Sequence, residues 1–303
     1  MTEDAPSPST TDREALVAAA IALRPQLHRY CARLTGSVFD GEDVVQDTMV
    51  RALAALDSLD SLPSLRPWLY RIAHNRAIDL LRSRALRELD SLEAAAVQVP
   101  DPDVLDAEEL VMRQEAVRMA VSRFTELPTM QRSVIILKDV LDHSLADIAE
   151  LLGLSIDAVK AHLARGRVRL RAIATTPPKT WDAPPASASA ERYAALFNSG
   201  RWDDLRAMLA DDVRLDLSGR PSRVGSGDVG VYFSVYANIK DVRLVPGWVE
   251  GREVFLVYAG QDLERPAYLV QIIWSNERIS HIRDYHYTRY MIEDAEFAVS
   301  KPH

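Results

Sequence analysis

Ser144-Leu-Ala-Asp-Ile-Ala-Glu-Leu-Leu-Gly153, running straight on through Leu154 to Arg171, is the stretch on which the reading of this chain turns. Leu145, Ile148, Ala149 and Leu152 recur at helical spacing, so the first segment reads as a short amphipathic helix with those residues facing inward. Gly153 ends it, because glycine enters the left-handed turn without a Cβ clash. Ile156, Val159 and Leu163 then anchor a second helix whose outward positions carry Lys160, His162 and Arg165. That is the helix-turn-helix layout, in which the second helix enters the major groove while nearby cations hold phosphates. Ala158 and Ala161 are small enough for close approach or contact with a thymine methyl. A bare helical hairpin with a solvated basic face is the plainer alternative; the glycine placement and the charge weigh against it.

Working outward, charge is distributed in blocks. The 303-residue chain carries a formal net charge of −8, which looks wrong for a partner of nucleic acid until its position is read. Arg66 to Arg87 sums to +5 and Asp157 to Arg171 to +4, whereas Asp40 to Asp60 sums to −5. Blocks of opposite sign suggest faces for different partners, one polyanionic and one basic, although solvated helix faces also make charge runs.

Helical periodicity covers Leu16 to Leu34, with Gly36 just beyond, and Asp40 to Leu56, striped by Val44, Val45, Thr48, Met49 and Leu53. After a loop at Asp57 to Pro63, Ser64 caps a third helix with Pro67 in its first turn and a pattern running from Trp68 to Arg84. Residues 88–107 form an acidic linker, and helices resume over Glu108–Phe124, Thr129–Val140, Ser144–Leu152 and Ile156–Ala174. A Pro/Ala/Ser-rich linker follows at 175–189. The remainder is α+β: a helical stretch at Ala190–Leu209, an alternating strand at Val213–Leu217, and a helix near Asp228–Tyr236. Strands are expected at Glu253–Ala259, Ala267–Ser275 and Ile279–Tyr287, and residues 294–303 read as a tail.

Several classes are set aside. The longest apolar runs, such as Ala15 to Leu23, fall short of the roughly 20 residues that cross a bilayer, so no membrane span is expected. Met1 to Thr11 is acidic and Ser/Thr/Pro-rich, unlike a signal peptide; residues 1–12 read as disordered. One cysteine, Cys31, excludes an internal disulfide framework and fits a cytoplasmic setting. No Cys/His ligand cluster and no phosphate-cradling glycine loop occurs, so no cofactor, no metal and no enzymatic chemistry is expected.

The chain also resembles a family. Leu127-Pro-Thr-Met-Gln-Arg-Ser-Val-Ile-Ile-Leu137 with Ser144 to Leu170 looks like region 4 of bacterial sigma factors. Asp40-Gly-Glu-Asp-Val-Val-Gln-Asp-Thr-Met-Val-Arg-Ala-Leu53 and Pro67-Trp-Leu-Tyr-Arg-Ile-Ala-His-Asn-Arg-Ala-Ile-Asp-Leu-Leu-Arg82 look like region 2. Absence of a recognisable region 3 points to the extracytoplasmic-function (ECF) group, with region 2 at 13–87 and region 4 at 108–174. The resemblance implies two all-α domains. It implies core RNA polymerase binding through Asp40, Glu42, Asp43, Gln46, Asp47 and Arg51. It places contacts to the −10 promoter element, partly as a melted strand, on Arg71, Asn75, Arg76 and Arg82 of the third helix, with the loop from Asp57 beside them. Double-stranded −35 DNA would meet Lys160, His162 and Arg165. Asp79 reads as structural, pairing with an arginine such as Arg82, and His74 as either a surface residue or a contact. The acidic linker would mimic RNA in the polymerase channels or serve as a plain spacer.

Arg192 to Asp216 resembles the opening of SnoaL-like domains of the nuclear-transport-factor-2 superfamily, a cone-shaped α+β fold with one pocket, covering 190–293. Such domains include enzymes and binding modules, so the fold assigns no chemistry by itself. Asp216, His281, Asp284 and His286 are the candidate pocket residues for a small-molecule ligand; strand alternation places His281 with Arg283, and Asp284 with His286 on the other face. The preferred role is intramolecular contact with the sigma domains that modulates them in cis. The rivals are a polymerase-independent helix-turn-helix regulator, which leaves the acidic helix and the Trp68–Arg82 block without roles, and a SnoaL-like enzyme or ligand sensor fused to a DNA-binding anchor.

Overall fold

The computed structural model describes residues 10–56, 64–89, 113–114, 116–117, 119–176, 182–260 and 264–301. The loop from Asp57 to Pro63, nearly all of the acidic linker, the first nine residues and the middle of the second linker lie outside the described residues. The chain divides into two compact units, Met1–Pro178 and Lys179–His303.

The first unit is helical. α1 (Thr10–Thr35), α2 (Val38–Leu56) and α3 (Leu65–Leu89) pack together, and Gly41 lets α1 and α2 meet closely, since a Cβ there would lie 2.6 Å from the Ala32 nitrogen. A 3-10 turn (Val121–Glu126) precedes α4 (Thr129–Ile135), which widens into a π turn at Ile136–Val140 before α5 (Leu145–Leu152) and α6 (Ile156–Thr175). Leu27, Tyr30, Leu69, Tyr70, Phe124, Ile135, Ile148 and Val159 belong to one continuous core, so the parts resembling regions 2 and 4 are not separately cored here. Each such side chain, fully buried, is worth about 1.5–3 kcal/mol. Arg132 ties the halves together: its guanidinium donates to the Leu34 carbonyl at 2.7 Å, at the open end of α1, and to the Leu127 carbonyl at 2.8 Å. Tyr70 meets His143 edge-on at 4.9 Å across the same seam.

The second unit is α+β: α7 (Ala188–Asn198), α8 (Trp202–Ala207) and α9 (Ser226–Tyr236) cover one face of a seven-stranded sheet, with a short α10 (Met291–Asp294) near its end. The strands are β1 (Leu209–Leu217), β2 (Arg223–Val224), β3 (Val242–Val249), β4 (Arg252–Ala259), β5 (Tyr268–Ser275), β6 (Arg278–Asp284) and β7 (Phe297–Val299), ordered β2-β1-β6-β5-β4-β3-β7. Among the described strands β1 and β6 form the one parallel pair, and an isolated parallel bridge joins Pro185 to Lys301. Two-residue turns with positive φ, Glu250-Gly251 and Asn276-Glu277, join β3 to β4 and β5 to β6, as the twist of tight hairpins requires.

Several expectations are corrected. Residues 190–209 are two helices parted at Ser199-Gly200 rather than one stretch. β3 is an additional strand that local pattern does not mark, because Pro246-Gly247 sits inside it; the sheet tolerates the proline and needs the glycine, whose Cβ would lie 2.8 Å from the Ala298 carbonyl. The supposed tail holds β7, hydrogen-bonded to β3. The second linker is shorter than 175–189, because Ala183 and Ala186 are already buried in the second unit.

Candidate nucleic-acid interface

The helix-turn-helix is built as the sequence requires, with two differences of facing. Ser144 caps α5 in a reciprocal box: its hydroxyl accepts from the Asp147 N–H at 3.1 Å, and the Asp147 carboxylate accepts from the Ser144 N–H at 3.3 Å. Gly153 takes φ 66° at the turn, and Ser155 caps α6 by accepting from the Ala158 N–H at 3.1 Å. Leu151 is buried where Leu152 is only half-buried, and Ile156 is exposed rather than anchoring; Val159, Leu163 and Leu170 hold α6 down.

On the other side of α6, Lys160 is exposed, with only a weak pair to Asp157 at 3.8 Å, while His162 and Arg165 are half-buried. Burial and the neighbouring Arg165 charge push the His162 pKa below its usual value, so near neutral pH it offers a hydrogen bond rather than a charge. Arg167, one of the cations of this block, is removed from the surface. Its guanidinium grips Asp139 of the π turn with two hydrogen bonds, at 3.1 and 2.7 Å, and both side chains are buried. Nothing in the local spacing marks that pair, because 28 residues separate its members.

The acidic block behaves likewise. Asp40 is buried and paired with Arg84 at 2.6 Å, and Glu42 is buried against Arg24, which also reaches Gln46 at 3.1 Å. Asp43 faces solvent, and Asp47 accepts from both Arg51 at 3.1 Å and Arg76. Two apolar residues stand out on the same helix: Val50 and Leu53 are 55% and 44% exposed, and the sequence pattern had placed Leu53 in the inner stripe.

Along α3, Arg71, Asn75 and Arg82 are exposed, while Arg76 is half-buried, bridging Asp47 and Asp79. Asp79 therefore pairs with Arg76 rather than Arg82. His74 is neither a surface residue nor an outward contact: it sits 2.7 Å from the Tyr30 hydroxyl, and burial lowers its pKa to about 4. A cavity of 420 Å³ lies beside it, lined by Ile78, Leu81, Arg82, Ala85 and Met130.

The four candidate pocket residues of the second unit do not converge. Asp216 and His281 are joined at 2.8 Å on the sheet face away from the helices. Partial burial pushes the Asp216 pKa up, but hydrogen bonds from Ser222, Arg214 and His281 more than offset it and hold it low. Asp284 is buried on the helix-covered face, accepting from Tyr232 at 2.9 Å and Tyr236 at 2.7 Å, and Tyr236 meets Tyr268 at 2.8 Å. Burial raises its pKa. His286 reaches Asp284 through its backbone N–H, at 2.8 Å, while its ring lies edge-on to Tyr268. Among the described residues, no group of three or more His, Cys, Asp or Glu could hold a metal, and no helix is long and apolar enough to cross a membrane.

Family models match twice, Sigma-70 region 2 over residues 21–87 and Sigma-70, region 4 over residues 118–170. ECF RNA polymerase sigma factor SigG of Mycobacterium tuberculosis is 30% identical over 291 residues, covering 86% of this chain and 78% of that protein. The chain belongs to the ECF sigma factors. Members of this family direct RNA polymerase to start transcription, and this chain is one of them. The similarity to SigG reaches well beyond the two helical regions, whereas that to ECF sigma factor SigW of Bacillus subtilis, 30% identical over 167 residues, covers 53% of this chain and 89% of SigW. Among solved structures, this ECF sigma factor is similar to M. tuberculosis SigJ (TM-score 0.34, 21% identity, 89% of this chain and 95% of that one). It is also similar to the Bartonella quintana sigma factor RpoE, solved in complex with the anti-sigma factor NepR (TM-score 0.38, 27% identity, 52% of this chain and 94% of that one).

Proposed function

We propose that this ECF sigma factor reads a bipartite promoter, with α6 on the −35 element and α3 on the −10 element, and that its second unit modulates that activity in cis. The observation carrying this reading is the division of labour among the cations: Arg167 and Arg76 are tied down by close ion pairs to Asp139 and Asp47, whereas Lys160, Arg71 and Arg82 stay on the surface, Lys160 and Arg71 with no more than long pairs at 3.8 and 3.7 Å to Asp157 and Glu150. In this reading Lys160, His162 and Arg165 meet −35 DNA, and Arg71, Asn75 and Arg82 meet the −10 strand as it opens. Arg76 contributes by fixing α3 against α2. Core RNA polymerase is engaged by the outer face of α2, where Asp43, Asp47 and Arg51 surround Val50 and Leu53; an apolar pair ringed by charge suits a protein partner. Asp40 and Glu42 orient Arg84 and Arg24 instead of touching the polymerase. The protein acts in the cytoplasm, where its polymerase is, and without catalytic chemistry of its own.

Transcription from DNA upstream of the gene, driven by bacterial core polymerase, tests this reading. The full chain is compared with a chain ending at Pro178. Initiation at one defined start by both forms supports it, and the ratio of the two gives the sign of control by the second unit. Equal activity of the two removes regulation in cis; no initiation by either removes the promoter reading.

A further inference from the structure

Just past the ends of β1 and β6 in the second unit, two arginines flank a row of three aromatic rings. The Arg220 guanidinium lies 5.0 Å from the centre of the Tyr287 ring, Tyr287 meets His286 edge-on at 5.2 Å, His286 meets Tyr268 at 4.8 Å, and Arg289 lies 5.5 Å over Tyr268. The register explains the gathering. Leu217 pairs with Asp284, so the turn that carries Arg220 is laid beside the segment that carries Tyr287, and the Ser218 N–H reaches the Asp284 carbonyl at 3.4 Å.

Neither Arg220 nor Arg289 is held by a carboxylate among the described residues, although the chain as a whole carries a net charge of −8. Both arginines are exposed, and Tyr287 keeps 53% of its surface in solvent. One ring of the stripe, Tyr268, belongs to the core of the sheet and is bonded through its hydroxyl to Tyr236, whereas Tyr287, Arg220 and Arg289 lie outside that core. A cation stacked on an exposed ring, with a second cation farther along, is the surface on which a single nucleic-acid strand is held, phosphates on the guanidiniums and a base on the ring.

We infer that this stripe is a binding surface for single-stranded nucleic acid, with Tyr287 stacking a base and Arg220 and Arg289 gripping the backbone. An acidic protein segment would satisfy the arginines but leave the ring face without a planar partner. The choice of nucleic acid over such a segment rests on the sigma-factor reading, in which a strand is freed as the promoter opens.

The test is binding of a fluorescent 20-nucleotide oligothymidine to the full chain across a range of salt, with no polymerase present. Each phosphate neutralised on a single strand adds about 0.7 to the salt slope, so Arg220→Gln with Arg289→Gln lowers the slope by about 1.4. Losing one stacked base is worth about 1–3 kcal/mol, so Tyr287→Ala weakens binding by between about fivefold and 150-fold while leaving the slope unchanged. Ultraviolet cross-linking of a bromodeoxyuridine oligonucleotide to the unmodified chain puts the adduct in the 285–289 peptide, a readout that needs no variant to fold. Unchanged affinity and slope in both variants overturns the inference. So do adducts confined to residues 66–87 and 157–171, or loss of a polyglutamate peptide with unaltered oligonucleotide binding. Because the assay omits the polymerase, its failure is distinct from a failure to initiate transcription.

Discussion

Replacing Asp139 with alanine takes its carboxylate away from an Arg167 guanidinium that is only 7% exposed. Two charge-assisted hydrogen bonds, at 3.1 and 2.7 Å, disappear together. Stranding one partner of a buried ion pair costs about 3–5 kcal/mol, much of it desolvation left uncompensated. The loss falls on the seat of α6, since Arg167 is on the same helix as Lys160 and Arg165. Native-state hydrogen exchange over residues 156–175 reads it directly: at about 1.4 kcal/mol per tenfold, amides of α6 open at least about 100-fold more often. Arg167→Met added to Asp139→Ala removes the buried charge and fills its volume with apolar atoms, so most of the protection returns. Exchange raised by less than about fivefold in the single variant, or a double variant no better protected than the single, refutes the reasoning.

His74, with its pKa lowered to about 4 by burial against an unfolded value of 6.5, binds a proton less readily folded than unfolded. Its share of stability is therefore complete above about pH 6.5 and lost as pH falls toward 4; about 2 kcal/mol is gone by pH 5, and His74→Gln flattens that dependence in urea denaturation. Gly41→Ala drives a methyl to 2.6 Å from the Ala32 nitrogen and lowers stability by about 1–3 kcal/mol or forces α1 and α2 apart, visible as a lower urea midpoint. Gly153→Ala meets nothing within 4 Å but keeps φ 66°, so it costs about 1 kcal/mol through the backbone alone, and Gly153→Asn costs less. Lys160→Ala lowers the salt slope of promoter-duplex binding by about 0.9 and weakens all sequences alike if it holds a phosphate; a loss confined to one base pair assigns it to base readout instead.

What the sequence determined by itself was local. Ser144, Asp147, Gly153 and Ser155 specify caps and a turn whose partners sit three or four residues away, so the helix-turn-helix is legible in one dimension. The two family motifs were legible for the same reason. Strand alternation likewise put Asp284 and His281 on opposite faces of β6, and Leu215 inward on β1. Which charges remain available was decided only by the tertiary structure. Asp40, Glu42, Arg76 and Arg167 look like surface charges in the sequence, and each is bound to a residue 18 to 44 positions away. The shared core of the two helical regions, the separation of Asp216 and His281 from Asp284, the strand through Pro246-Gly247 and the stripe from Arg220 to Arg289 have the same character. Each depends on which distant segment arrives alongside, and burial then prices a charge or a broken backbone bond far above what local propensity can express.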